Sequence, residues 1–238
     1  MDISGKTIVV TGAASGLGAA TAAYLSARGA YVVGIDRNAN ESVIECDITS
    51  SDAVKKVIDS QKELHAVINC AGIIHGARIV GKKGAMPLED FSRIVQVNLI
   101  GTFNVLRLCA EKMSVQAAVN EVGERGVIIN TASVAAFEGQ LGQISYSASK
   151  GGVASMTLPA ARELSRFGIR VMTIAPGVME TPMVAGMTPE LQQALCADVP
   201  FPKKLGKPAQ FAALCAHIIE NDYLNGSTIR LDGALRMQ

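Results

Sequence analysis

Tyr146 and Lys150 stand four residues apart in ISYSASKGG, a spacing that puts both side chains on one face of a helix. A free phenol titrates near pH 10, too high for ready proton exchange at neutral pH, and an adjacent ammonium lowers that value by stabilising the phenolate. Such a pair can pass a proton to or from an alcohol or carbonyl oxygen, while Lys150 also donates hydrogen bonds to a ribose. Ser133, in NTAS, can donate to the same oxygen as charge develops on it. Tyrosine and lysine at this spacing are also common on plain solvated helix faces, so the pair carries weight only if the rest of a site accompanies it.

The rest is present. TGAASGLG, Thr11 to Gly18, follows the first strand-like run and opens an alanine-rich helix. Glycines at Gly12, Gly16 and Gly18 permit a tight turn and let main-chain amides approach a pyrophosphate, with Ser15 adding a hydroxyl and Leu17 beside it. Asp36 ends the second strand-like run, where a carboxylate accepts from both ribose hydroxyls and repels a 2′-phosphate. That points to NAD. Arg37 is the complication, because a neighbouring arginine is the usual host of that phosphate. Asp47 in CDIT is read as a cap on the adenine, a helix cap being its alternative. Asn69, Cys70, Ala71 and Gly72 end the fourth run against the cofactor. Asn98 is expected inside a long helix, holding a water that links Lys150 to solvent; a satisfied core asparagine is the alternative.

These residues need a scaffold, and the strand candidates supply it: Ile8 to Thr11, Tyr31 to Ile35, Ser42 to Cys46, Ala66 to Asn69, Val127 to Thr131, Ile169 to Ala175 and Thr228 to Leu231. Helical periodicity fills most intervals between them. The alternation implies an α/β, Rossmann-type doubly wound parallel sheet of about seven strands with helices on both faces. The glycine turn, Asp36, the Asn69 to Gly72 segment and Ser133 fall at or just past the C-terminal end of a strand, where ligands bind in this class. Six of the eight prolines lie between Pro176 and Pro208, with Met179, Met183 and Met187 among them; residues 177–207 are read as a substrate lid. Pro159 is expected to kink or interrupt the Tyr146 helix.

Composition bounds the rest. The chain has 238 residues, 49% hydrophobic, with 23 glycines and no compositional break, so one domain is expected over 1–238. A net charge of +1 without basic clusters gives no footprint for nucleic acid or an anionic membrane, which favours a small-molecule substrate. Five scattered cysteines without a CxxC pair and three histidines outside ligand spacing indicate neither disulfides nor a metal site. No apolar run approaches the roughly 18 residues of a membrane span, and nothing at the start reads as a signal sequence, so the expected location is cytoplasmic.

Through TGAASGLG, NCAG, Asn98, Ser133, YSASK and the PG of TIAPG, the chain resembles the classical short-chain dehydrogenases over its whole length. Within them INTASVAAFEGQ, YSASKGG, MTLPAARELSRFGIRVMTIAPG, VPFPKKLG and NGSTIRLDGALRM resemble the type II 3-hydroxyacyl-CoA dehydrogenase branch. The resemblance implies NAD contact at Ser15, Leu17, Asp36, Asp47, Ile48, Cys70, Tyr146, Lys150 and the stretch Pro176, Gly177, Val178, Met179 to Thr181. It implies substrate contact at Ser133 and Tyr146, an acyl-CoA thioester or steroid-like alcohol as substrate, and a homotetramer. Ile73 to Pro87 matches an insertion beside the active site, where Lys82 and Lys83 can meet CoA phosphates. A shorter loop between Asp36 and Asp47, and Met179 where an aromatic is usual, depart from the branch and leave acyl preference open. Two alternatives remain: a 3-oxoacyl carrier-protein reductase, which generally uses NADPH, and an NAD-binding scaffold whose catalytic residues go unused.

Overall fold

The computed structural model describes residues 1–82, 84–185, 188, 190 and 196–237. Seven strands form one parallel sheet: β1 (Thr7–Thr11), β2 (Tyr31–Asp36), β3 (Val43–Glu45), β4 (Ala66–Asn69), β7 (Gly126–Thr131), β8 (Ile169–Pro176) and β9 (Thr228–Leu231). Their order is β3-β2-β1-β4-β7-β8-β9, so the chain reverses its winding between β1 and β4, and their C-terminal ends diverge there into a crevice. The expected doubly wound sheet is the one found, with strand ends within one residue of those read from the apolar runs. Residues of β1, β4, β7 and β8 are nearly all buried on both faces, which is why these strands read as continuous apolar runs.

One face is covered by α1 (Gly16–Ala27) and the C-terminal helix Pro208–Glu220, over a core of Ile8, Val10, Ile68, Ile129, Ile174 and Phe211. The other is covered by α2 (Ser51–Asp59), α4 (Thr102–Ser114) and α5 (Ile144–Leu164), over Val9, Ile35, Val67, Ile128 and Val171. Each such side chain contributes about 1.5–3 kcal/mol on burial, so the sheet beneath the crevice is a rigid platform.

Three features depart from the sequence reading. Pro159 does not interrupt α5, which runs on to Leu164. The carbonyl of Ser155, deprived of its helical donor, lies on the exposed face with Pro159 itself, where water can take the place of the missing bond. The insertion carries a two-stranded antiparallel hairpin, β5 (Val80–Gly81) with β6 (Gly84–Ala85), that no periodicity announced. Its tip is exposed Lys82; Lys83 lies outside the described residues. The helix α3 (Leu88–Val95) passes into α4 through a π-helical turn, Gln96–Gly101. Single-turn π segments recur at functional sites, and this one carries Asn98.

Candidate active site

A cleft of about 860 Å³ opens along the C-terminal ends of β1, β2, β4, β7 and β8, within the range of about 300–1,000 Å³ usual for small-molecule and cofactor sites. At one end the backbone leaves β1 through Gly12 with φ +68° and enters α1 at Gly16 with φ +55°. A Cβ on Gly12 would stand 2.8 Å from the Ala71 nitrogen, so only glycine lets the β1–α1 turn lie against the NCAG segment. A Cβ on Gly18 would meet the Gly12 carbonyl, which explains the third glycine. Ser15 is the N-cap of α1, but its hydroxyl makes no cap bond and the first turn holds no acidic residue. The amide groups and positive end of this helix are therefore left for an external anion.

Asp36 braces this turn. One carboxylate oxygen accepts from Ala14 N at 3.2 Å and the other from Asn38 N at 2.9 Å. A carboxylate has about four lone-pair sites, so half its capacity remains toward the cleft. Asp47 is not a helix cap: Ser50 caps α2, while Asp47 accepts from the amide and hydroxyl of Thr49 at 2.9 and 2.8 Å. Those bonds, the amide first, hold its carboxyl below the usual range. Arg37 reaches toward it, Nε 3.8 Å from the carboxylate, with both side chains largely exposed.

At the other end Ser133, Tyr146 and Lys150 line the same cleft. Ser133 Oγ accepts from Ala135 N at 3.1 Å, which fixes the oxygen and leaves its hydrogen free to donate. Lys150 Nζ donates to Thr131 O at 2.7 Å and lies 5.8 Å from the Tyr146 ring centroid. A Cβ on Gly72 would stand 3.2 Å from Asn98 Oδ1 and 3.5 Å from Nζ, so this glycine lies against both side chains. The sequence expectation that Lys150 lowers the Tyr146 pKa is not met here. Burial pushes the phenol up, opposed by the Ser133 hydroxyl, and burial lowers Lys150 to about 8. Desolvation is the largest cause for both groups. Cys70, in the cleft wall, is pushed up to about 12 by burial and is no nucleophile.

The structure brings nearly all the sequence-derived residues together. Gly12, Ser15, Gly16, Leu17, Gly18, Asp36, Asp47, Ile48, Cys70, Ala71, Gly72, Pro176, Gly177, Val178, Met179 and Thr181 all line the cleft. Asn69 and Asn98 do not. Asn69 is buried in β4 and donates to Asn130 of β7 at 2.9 Å. Asn98 is bracketed by the Ile73 backbone, accepting from its N at 2.8 Å and donating to its O at 2.9 Å, and it donates to Ser149 Oγ at 3.1 Å. Its side chain is thus satisfied within the protein and anchors the start of the insertion. Met179 is 5% exposed and belongs to the main core, so it is a floor rather than a flexible lining; Met187 and the side chain of Met183 lie outside the described residues.

Sequence reasoning missed Gln140, Gln143 and Met237, which also line the cleft. Gln143 precedes Tyr146 by three residues, a same-face spacing that would have revealed it. Met237 has no local signal. The two ends of the stretch 177–207 are tied together: Met179 and Gly206 form a parallel bridge, with Glu180 N donating to Gly206 O at 2.7 Å and Gly206 N to Val178 O at 3.0 Å. From this stem the short helix Pro182–Ala185 presents buried Val184 to the cleft.

Comparison with known proteins gives a consistent set of likenesses. Residues 6–192 match the model of the short chain dehydrogenase family. The chain is 47% identical to the 3-hydroxyacyl-CoA dehydrogenase type-2 of Bos taurus, covering 99% of this chain and 97% of the relative. It is 33% identical to a 3-oxoacyl acyl-carrier-protein reductase of Thermotoga maritima, covering 99% of each. The crystal structure of a 3-hydroxyacyl-CoA dehydrogenase type-2 from Mycobacterium avium superposes with a TM-score of 0.93 at 37% identity, covering 100% of this chain and 98% of the other.

Proposed function

The chain belongs to the short-chain dehydrogenase family and is an oxidoreductase, and on that premise we propose that it oxidises a 3-hydroxyacyl-CoA to the 3-ketoacyl-CoA with NAD. The observation that carries this reading is a single cleft lined at one end by Asp36 and the glycine turn and at the other by Ser133, Tyr146 and Lys150. NAD fits the residues present. The uncapped first turn of α1 suits its pyrophosphate, the remaining acceptor sites of Asp36 suit the adenosine ribose, and Lys150 suits the nicotinamide ribose. When bound, NAD supplies the hydride acceptor.

The protein's own residues handle the proton. Tyr146 takes it from the C3 hydroxyl as the carbon–hydrogen bond breaks, and returns it in the reverse direction. Ser133 donates to the same oxygen and orients it. Lys150 holds the ribose, and the Ser133 hydroxyl is the group that opposes the upward shift of the phenol. Residues 177–207 act as the lid over the substrate, with Val184 on its inner face. We assign a homotetramer on family analogy; exposed Phe103, Ile144 and Leu158 on α4 and α5 supply apolar surface for contacts between copies. Among the described residues no helix is long and apolar enough to cross a membrane.

Arg37 beside Asp36 favours a second reading, an NADPH-dependent 3-oxoacyl reductase. Steady-state kinetics on 3-hydroxyacyl-CoA thioesters, hydroxysteroids and simple secondary alcohols, with NAD and NADP, separate the two. Oxidation of a 3-hydroxyacyl-CoA with NAD preferred is the expected result; NADP preference overturns the cofactor assignment, and no turnover of any acyl-CoA overturns the substrate.

A further inference from the structure

A closed charge network stands behind the substrate end of the cleft and has no part in the chemistry above. Ser133 opens a tight turn, Val134–Ala136, that ends at Glu138, whose amide donates to Val134 O at 3.0 Å. The Glu138 carboxylate accepts both arms of the Arg230 guanidinium at 2.9 Å each. Arg230 extends from β9, 92 residues away in sequence. Its Nε donates to Asp232 at 2.6 Å and its Nη2 also to Leu235 O at 2.9 Å. Four hydrogen bonds thus occupy a group with five donors. Arg236 closes the network, 3.2 Å from Asp232 and 3.4 Å from Glu138.

Arg230 and Glu138 are about three-quarters buried, at 23% and 25% exposure, and two carboxylates balance two guanidiniums. A planar fork held in this way fixes distance and angle, which a point-charge ammonium does not. One arginine therefore grips the turn that starts at Ser133 and the C-terminal segment that ends in Met237, and both line the cleft.

We propose that the Arg230–Glu138 pair is a positioning latch, holding the Ser133 hydroxyl and the Met237 wall in register so that Ser133 acts on the substrate oxygen at full effect. The inference rests on the assignment of Ser133 above. Misplacement of a reacting group by about 1 Å costs on the order of a hundredfold in rate, and a loosened turn moves less than that.

The test compares kcat and KM for wild type, Glu138→Gln, Arg230→Lys, Ser133→Ala and Ser133→Ala with Glu138→Gln, after NADH binding and thermal melting have shown each to be folded. Glu138→Gln and Arg230→Lys should each lower kcat about tenfold with KM for NAD within about twofold. Arg230→Lys keeps the charge and serves if Glu138→Gln does not fold. With Ser133 already absent, adding Glu138→Gln should change the residual turnover by less than about twofold, because partners acting through one group are not additive. A kcat within twofold of wild type in both single variants, multiplied losses in the double variant, or an equal rise in KM for NAD overturns the latch. Wild-type turnover in Ser133→Ala overturns instead the assignment beneath it. If the wild type oxidises another secondary alcohol but no acyl-CoA, only the substrate reading falls, and the same variants are compared on that alcohol.

Discussion

In the half of the cleft proposed to receive the cofactor, positions are set largely by the main chain: Gly12 against Ala71, Gly18 against Gly12, and Ala14 N on the Asp36 carboxylate. All of these lie at the ends of three adjacent strands, β1, β2 and β4. In the half that receives the substrate, the walls come from remote stretches. Ile73 and Ile74, Ser133, Ala135, Gln140 and Gln143, Val184 and Met237 contribute, and their segments are joined by contacts such as Ala77 N to Gly142 O at 2.9 Å and Arg230 with Glu138. A half built from backbone contacts tolerates no added methyl but needs few side chains. A half built from long-range pairs tolerates changes of size but is altered when a pair is broken.

The sharpest test of that division lies where the halves meet. Tyr146→Phe removes the proton carrier and leaves the ring in place, so kcat should fall by about a thousandfold or more while NADH affinity, measured by fluorescence titration, stays within about twofold. A parallel loss of NADH binding would mean that the halves are not separable at this residue. The same phenol sets the pH dependence. Burial holds Tyr146 above its ordinary pKa, and oxidation needs the phenolate. The oxidation rate should therefore climb with pH through and above neutrality, whereas reduction, which needs the phenol, should hold level through neutrality and fall only above the raised pKa of the phenol. A flat profile in both directions would remove Tyr146 as the proton carrier.

Within the cofactor half, Gly12→Ala should be the most damaging small change. It meets the Ala71 nitrogen at 2.8 Å and forces a side chain onto φ +68°, a conformation that costs about 1–2 kcal/mol before any clash. We expect at least a tenfold loss of NADH affinity and a lowered Tm; normal binding would show that the turn can retreat and that the backbone contact is dispensable. Asp36→Ala follows. Losing a charge-assisted bond to ribose and the repulsion of a 2′-phosphate should shrink the NAD-over-NADP ratio of kcat/KM about tenfold, with exposed Arg37 left to meet the phosphate. An unchanged ratio would transfer the selectivity to other residues.

The same division governs how much was legible in the sequence. β4 at Ala66–Asn69 and β7 at Gly126–Thr131 are readable because a buried parallel strand is a short apolar, β-branched run between turn residues. The glycine turn is readable because its contacts are local. The π-turn at Asn98 is not: Gly101 faces Ile48, 2.8 Å from the nearest side-chain atom to a built Cβ, and Thr102 donates to Asn98 O at 2.7 Å. These are tertiary facts with no trace in helical periodicity. The value near 8 for Lys150 is hidden for the same reason, since its cause is burial. Glu138 and Arg230 look like two ordinary surface charges until β9 is laid beside β8.

The smallest expected effect bears on the insertion, which belongs to the substrate half by its attachments but reaches away from it. Ile73 and Ile74 line the cleft, Asn98 and Gly142 pin the start of the segment, and Met86 N donates to Ile79 O at 2.9 Å to close the hairpin. Lys82 at its tip is exposed, so an ion pair with a CoA phosphate there is screened by water and worth about 0.2–1 kcal/mol. Lys82→Ala should accordingly raise KM for a 3-hydroxyacyl-CoA by about two- to fivefold. Lys83→Ala added to it should extend the rise in the same direction. Oxidation of a small secondary alcohol or a hydroxysteroid should not change, and kcat should hold for every substrate, because a remote contact made equally in the ground and transition states affects KM alone. The rise should also fade with added salt. An unchanged KM for the thioester in the double variant would detach the insertion from CoA binding, and an equal rise for the small alcohol would mean that the hairpin shapes the cleft instead of touching the ligand.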